Sequence, residues 1–261
     1  MSVASHVASP LSQGLFERAI SQSGTIQDGA FPHATGSFDQ ATDTGLKYAE
    51  VLGCDQTDDV LACMCGKTSQ ELLDAAVPLM AATGVRPSSA ASNVEAINFA
   101  PVYDGWFFPE DATDIFLKGE QSQVPYMIGF NEDEGTLFVD DPSESEEYAQ
   151  KAFIEPSKLV AGSMQAPVYF YKFTRIPGTE EAAKYGAFHS IEIPYVFGNL
   201  DASEGYDDTD FRLSDLIMEY WVNFAKTGDP NGPGLPYWQP YNSETEQYQD
   251  LGDEVTVRSG L

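Results

Sequence analysis

The sequence predicts an α/β fold, and three observations carry that expectation. Segments with helical spacing alternate along the chain with short apolar, β-branched and aromatic runs. The 261 residues are enough to bury a sizeable core, as one large domain or two small ones. The composition, 42% hydrophobic and 12% aromatic, is that of a folded chain.

Each element has its own signal. SVASHVAS reads as a short helix stopped by Pro10, and RAISQSG as a strand running into a glycine turn. In FDQATDTGLKYAEVLG, residues Phe38, Ala41, Leu46, Ala49 and Leu52 recur at roughly helical spacing, with Gly53 as the stop. A second helix opens at Thr68, which forms a capping-box pair with Glu71. Residues 81–99 are small and polar, as in a surface loop. A short helix at 110–118 ends at Gly119 and leads into a strand at 124–130; a further strand is predicted at 167–174. The clearest helix covers 213–226, where Leu213, Leu216, Ile217, Tyr220, Trp221 and Phe224 form one apolar face ahead of Gly228. That stripe is core packing. From Pro230 onward the chain is rich in Pro, Gly, Asn and polar residues and reads as a surface wrap.

Charge narrows the function classes. Thirteen Lys and Arg against 41 Asp and Glu leave a net charge of −28, which repels phosphate backbones and anionic lipid, so neither nucleic acid nor a membrane surface is an expected partner. The acidic clusters at 140–147 and 201–210 read as a solubilising surface, without metal-ligand spacing. No uncharged apolar run approaches the roughly 18 residues of a membrane helix. The N-terminus has neither the charged n-region nor the apolar h-region of a targeting signal.

Few residues can carry chemistry. The histidines are His6, His33 and His189. His189 stands out because it follows a predicted strand on a loop flanked by aromatics, and open α/β sheets place their sites at strand carboxyl ends. Behind the strand VPYMIGF comes NEDEGTLF, which sets Glu132, Asp133 and Glu134 at a strand's mouth. Such a stretch is either a solvated turn or the seat of an acid that orients a histidine. Glu134 followed by His189, each behind a strand, has the order of the second half of a Ser…Glu…His arrangement on an α/β-hydrolase sheet. From spacing alone, Cys54 and Cys63 either close a short loop in an oxidising compartment or remain free thiols, with Cys65 left over in both cases.

Five blocks carry a family resemblance: GLFERAISQSG (14–24), FAPVYDGWFFP (99–109), VPYMIGFNEDEG (124–135), GAFHSIEIPYVFGN (186–199) and YWVNFAKTGDPN (220–231). In this order they resemble the type B carboxylesterases, which include p-nitrobenzyl esterases, animal carboxylesterases and cholinesterases. The histidine block is most similar to the bacterial branch. The resemblance implies an α/β-hydrolase fold and hydrolysis of a small-molecule carboxylic ester through an acyl-serine, with no cofactor and no metal. It places the triad acid on Glu134 and the triad base on His189. The imidazole would take the serine proton and return it to the leaving alkoxide, while the carboxylate fixes its tautomer. Glu132 and Asp133 then read as local hydrogen-bonding or solvated carboxylates, and Glu192 and Ser23 as structural. LGC…ACMC is similar to the family's small disulfide loop, which favours a Cys54–Cys63 pair; Cys65 departs from the pattern.

The departures matter as much. A G-x-S-x-G motif needs glycines four apart, and the only such pair, Gly228 and Gly232, brackets Pro230 rather than a serine. No Gly-Gly dipeptide is present to make an oxyanion turn. Residues 1–261 are therefore expected to be the C-terminal portion of a single carboxylesterase type B domain. Its partial α/β-hydrolase fold would lack the early strands, and Met1 would be internal to a longer protein. Residues 140–165 read as a short acidic linker where the family carries a longer helical stretch. The expected function is that of a serine esterase whose 261-residue portion is inactive alone, in an extracellular or periplasmic setting. The alternative is a catalytically dead, cholinesterase-like interaction or scaffold domain.

Overall fold

A computed structural model describes residues 1–24, 26, 36–80 and 101–261. The expected loop at 81–99 and His33 lie outside the described residues. Two compact units are present, one formed by Met1–Gln27 with Ala112–Leu261 and the other by Asp28–Asp111. In chain order, α1 (Ser2–Ala8) and β1 (Ala19–Gln22) open the larger unit. The smaller unit holds β2 (Gly36–Ser37), α2 (Phe38–Val51), α3 (Val60–Cys65), α4 (Ser69–Met80) and β3 (Val102–Tyr103). The larger unit resumes with α5 (Ala112–Lys118), β4 (Tyr126–Asn131), α6 (Ser145–Ala149), α7 (Glu155–Ser163) and β5 (Val168–Phe173). It closes with α8 (Glu180–Tyr185), α9 (Ile193–Phe197), α10 (Asp208–Thr227), β6 (Gln247–Leu251) and β7 (Val255–Ser259).

The larger unit is organised by a sheet of order β1-β4-β5-β6-β7, in which the first four strands run parallel and β7 is antiparallel to β6. Every residue of β4 is buried, as expected of a parallel strand covered on both faces, which explains its unbroken apolar run. Asn131, the last residue of β4, pairs with Phe173, the last of β5, so both strands end at one level. The close approach of these strands depends on Gly129. A Cβ there would stand 2.3 Å from the Tyr171 carbonyl oxygen and 2.4 Å from its ring.

Helix α10 supplies the wall on one face. Its buried Leu213, Ile217, Tyr220, Trp221 and Phe224 pack with Met127, Tyr171 and Phe173 of the sheet. Each such side chain contributes about 1.5–3 kcal/mol on burial. The ends are fixed locally. Asp207 and Asp210 form a capping box, and Gly228 takes the left-handed conformation that closes the helix. Arg175 joins this start to the sheet, with its Nε 2.7 Å from Asp210 Oδ1, which also accepts the Tyr195 hydroxyl at 2.6 Å.

Two expectations are corrected. The tail beyond Pro230 is no surface wrap: Trp238 is wholly buried against Tyr169, Tyr171, Tyr220 and Trp221, and β6 and β7 extend the sheet. The strand QYQDL escapes a hydrophobic pattern because its buried positions include Gln249 and Asp250, the latter paired with Arg258 of β7 at 2.5 Å and with the Thr174 hydroxyl. Residues 140–165 are no bare linker either, since α6, a π-helical turn (Gln150–Ile154) and α7 occupy them. Their acids Glu146, Glu147 and Glu155 sit in first helical turns, where the helix dipole favours negative charge.

In the smaller unit, Tyr48 and Ala49 of α2 and Leu52 just beyond its end pack with Cys54, Ala75 and Ala76, while Phe38 and Leu46 of the expected apolar face are exposed. Thr68 and Glu71 exchange the capping-box bonds, with Thr68 N–H to Glu71 Oε2 at 2.8 Å and Glu71 N–H to Thr68 Oγ1 at 3.2 Å. Cys54 and Cys63 form a disulfide with Cα atoms 5.7 Å apart, and Cys65 is an exposed free thiol.

Two measurements check this architecture. Gly129→Ala is expected to lower stability by at least about 2 kcal/mol, because the clash is with backbone; an unchanged urea midpoint would contradict the β4–β5 spacing. Thiol titration of the unfolded, unreduced chain is expected to find one thiol, and Cys54→Ser with Cys63→Ser to cost up to roughly 3 kcal/mol. Three reactive thiols would show that the bridge is absent.

Candidate functional site

The site gathers at the carboxyl ends of β1, β4 and β5, and each acid of the NEDEG stretch has a separate task. Glu132 Oε2 pairs with Lys172 Nζ on β5 at 2.6 Å. Asp133 grips the loop that follows α8. Its N–H donates to the Ala187 carbonyl at 3.0 Å, its Oδ2 accepts the Ala187 N–H at 2.7 Å, and it forms a parallel bridge with Phe188. That grip requires Gly186, whose φ is +73° and whose Cβ, if present, would lie 2.1 Å from Asp133 Oδ2.

Glu134 is the wholly buried member. It opens the 3-10 turn Glu134–Leu137, and Gly135 allows the Ser145 carbonyl to approach where a Cβ would be only 2.0 Å away. Its Oε2 lies 2.6 Å from His189 Nδ1, and its Oε1 accepts the Asn131 N–H at 2.8 Å together with the Ser23 hydroxyl. Asp133 thus fixes the loop while Glu134, one residue on, meets the imidazole which that loop carries. The sequence expectation that Glu134 and His189 share one end of the sheet matches this arrangement.

His189 is 31% exposed in its side chain, with the Phe138 and Phe153 rings 5.2 Å and 5.3 Å away. Burial pulls its pKa down, but the hydrogen bond and charge of Glu134, with the charge of Glu192, carry it above the ordinary imidazole value. With Nδ1–H donated to an ionised carboxylate, Nε2 is left as the proton-accepting nitrogen. The pair therefore has the chemistry of an oriented general base.

A second buried acid, Glu192, follows His189 by three positions. Its Oε2 accepts Asn131 Nδ2 at 2.6 Å and its Oε1 accepts Gln22 Nε2 at 3.0 Å, while Gln22 Oε1 accepts the Trp221 indole N–H at 3.1 Å. Burial pushes the Glu192 carboxyl up, and the two amide donors oppose that rise. Gln22, Asn131 and Trp221 had no signal of their own in the sequence, where Gln22 read as part of a strand, Asn131 as the start of the turn behind one and Trp221 as part of an apolar helix face. Spacing could have flagged Glu192 alone, as an acid three residues from the histidine. The remaining sequence candidates lie elsewhere: His6 Nδ1 meets Ser12 Oγ at 2.9 Å, and Cys54–Cys63 belongs to the smaller unit. Among the described residues no group of His, Cys, Asp and Glu is arranged to hold a metal ion, and no helix is long and apolar enough to cross a membrane.

Comparison with known proteins matches this chain to one family. A sequence profile of the carboxylesterase family matches residues 1–156 and 148–261. Carboxylesterase 5A of Canis lupus familiaris is 29% identical over all of this chain and 52% of its own length. Para-nitrobenzyl esterase of Bacillus subtilis is 29% identical over 99% of this chain and 58% of its own length. Neuroligin-2 of Rattus norvegicus is 28% identical over 95% of this chain and 37% of its own length. Among solved structures, a PNB esterase superposes with a TM-score of 0.80 at 28% identity, over 99% of this chain and 59% of that one. The chain thus spans about half the length of the curated relatives it matches. With the whole chain accounted for by that profile and 99% of it by that superposition, it belongs to the carboxylesterase family and has the α/β-hydrolase fold.

Proposed function

We propose that this chain carries the acid–base half of a serine carboxylesterase, with His189 as general base and Glu134 as the acid that orients it. The observation that carries this reading is the 2.6 Å contact between His189 Nδ1 and a carboxylate with no solvent exposure. Burying a charge costs several kcal/mol unless it is paired and hydrogen-bonded, so a structural role alone is a poor reason for it. In the reaction, His189 Nε2 takes the proton of a serine hydroxyl as that oxygen attacks the ester carbonyl, then returns it to the leaving alkoxide. Glu134 stays ionised and stabilises the imidazolium in between. The 261 residues contain no G-x-S-x-G, so the proposal assigns them the acid and the base and not the nucleophile. Membership of the carboxylesterase family supports a small-molecule carboxylic ester as substrate. The Cys54–Cys63 disulfide supports an extracellular or periplasmic setting. A non-catalytic interaction domain, the alternative, gives no reason for the buried carboxylate–imidazole contact.

Two outcomes are expected. The 261-residue chain alone should hydrolyse p-nitrophenyl acetate no faster than an unrelated protein surface. Loss of a triad serine costs on the order of 10⁶ in rate, and the residual that normally survives depends on the oxyanion donors. A stoichiometric organophosphate adduct on a serine of this chain would contradict the assignment. In an NMR titration, the His189 midpoint should lie above the ordinary value of about 6.5, and Glu134→Gln should lower it. Because the neutral imidazole is the base, a raised midpoint means that hydrolysis by a protein with the serine in place falls away on the acid side of that midpoint. A midpoint unmoved by Glu134→Gln would detach the two residues.

A further inference from the structure

Asn131 touches both the acid and the loop that carries the base, which neither a strand end nor a packing role requires. Its backbone N–H donates to Glu134 Oε1 at 2.8 Å. Its side-chain amide nitrogen lies 2.8 Å from the Phe188 carbonyl and 2.6 Å from Glu192 Oε2, so the two amide protons can serve one acceptor each. Phe188 immediately precedes His189, and Glu192 follows it by three positions. One wholly buried residue therefore holds the acid from its backbone and the base's loop from its side chain, on both sides of the histidine.

We propose that Asn131 is the positioning residue of this site, fixing the Glu134–His189 geometry through the Phe188 carbonyl and the Glu192 carboxylate. The inference rests on the acid–base reading of Glu134 and His189 and adds to it the residue that sets their register. The physical reason is directional. Asp133 ties the loop to the sheet at Ala187, two residues before the histidine, through its N–H and its Oδ2. The Asn131 amide adds a second anchor at the next carbonyl, and together they determine where the His189 ring falls. Asn131 also supplies Glu192 with one of its two amide donors, the other being Gln22, so the second buried carboxylate is held as well. An unanchored carboxylate at this depth would take up a proton and withdraw from the imidazole a negative charge that now faces it.

The test is NMR on the 15N-labelled 261-residue chain, which needs no ester turnover. The charged groups facing the imidazole are Glu134, Glu192 and the amino terminus. In the unmutated chain, the Asn131 side-chain amide resonances should titrate with the same midpoint as the His189 ring. Glu134→Gln should abolish a far-downfield Nδ1 proton of His189. Asn131→Ala, which keeps the backbone N–H, should broaden or lose that proton and lower the His189 midpoint, while the His6 resonances stay in place as the sign of a folded chain. If Asn131→Ala does not fold, Asn131→Ser, with one donor in place of two, should give a partial loss. An Asn131→Ala chain with the His189 proton and midpoint of the parent would overturn the inference and leave the acid–base reading standing, as would side-chain amides that do not respond to the titration. A parent chain without the downfield proton, unaffected by Glu134→Gln, would overturn the reading and the inference with it.

Discussion

The burial of one charge, the Glu134 carboxylate, constrains the rest of the larger unit. A carboxylate removed from water needs partners for its lone pairs, and a hydrogen bond to such a group contributes roughly 1.5–3 kcal/mol. Here the partners come from three distant stretches of chain. Ser23 follows β1, Asn131 ends β4, and His189 lies on the loop beyond α8. No local turn could supply all three. A parallel sheet brings them together: β4 and β5 end at one level, and β1 ends beside them opposite Gly129, two residues earlier.

Much of the scaffold follows from holding that convergence. Gly129 lets β4 and β5 approach, Gly135 lets α6 cross behind the acid, and Gly186 lets the histidine loop close on Asp133. In each case a Cβ would overlap an atom that the site uses or that frames it, so these glycines are explained by space as much as by backbone freedom. Helix α10 reaches the site through Trp221, whose indole N–H steadies Gln22, which in turn holds Glu192. The helix that supplies the hydrophobic wall also ends the polar chain that starts at the histidine. Packing and site chemistry share residues here, so a core substitution at Trp221 touches both.

The legibility of the sequence followed physical lines. Strands β4 and β5 and helix α10 were readable because apolar runs and stripes report burial directly. Glu134 and His189 were readable because their residue types are scarce in useful positions and their blocks resemble a family. Strand β6 was hidden because its buried positions include the polar Gln249 and Asp250, which no hydrophobic pattern reveals. The helices over 145–163 were hidden by acidity that reads as a linker yet suits helix starts. Asn131 was out of reach for another reason. Its role is a matter of which atoms lie within 3 Å once three elements have met, and nothing in its neighbours Phe130 and Glu132 encodes that.

Electron density at the carboxyl end of β4 in crystals of this chain would test the central claim most directly. The account predicts His189 Nδ1 within hydrogen-bond reach of Glu134 Oε2, near 2.6 Å, with the other carboxylate oxygen on the Asn131 N–H near 2.8 Å. A His189 ring turned away, with Nδ1 beyond about 3.5 Å of the carboxylate and Glu134 bonded to other groups, would contradict it.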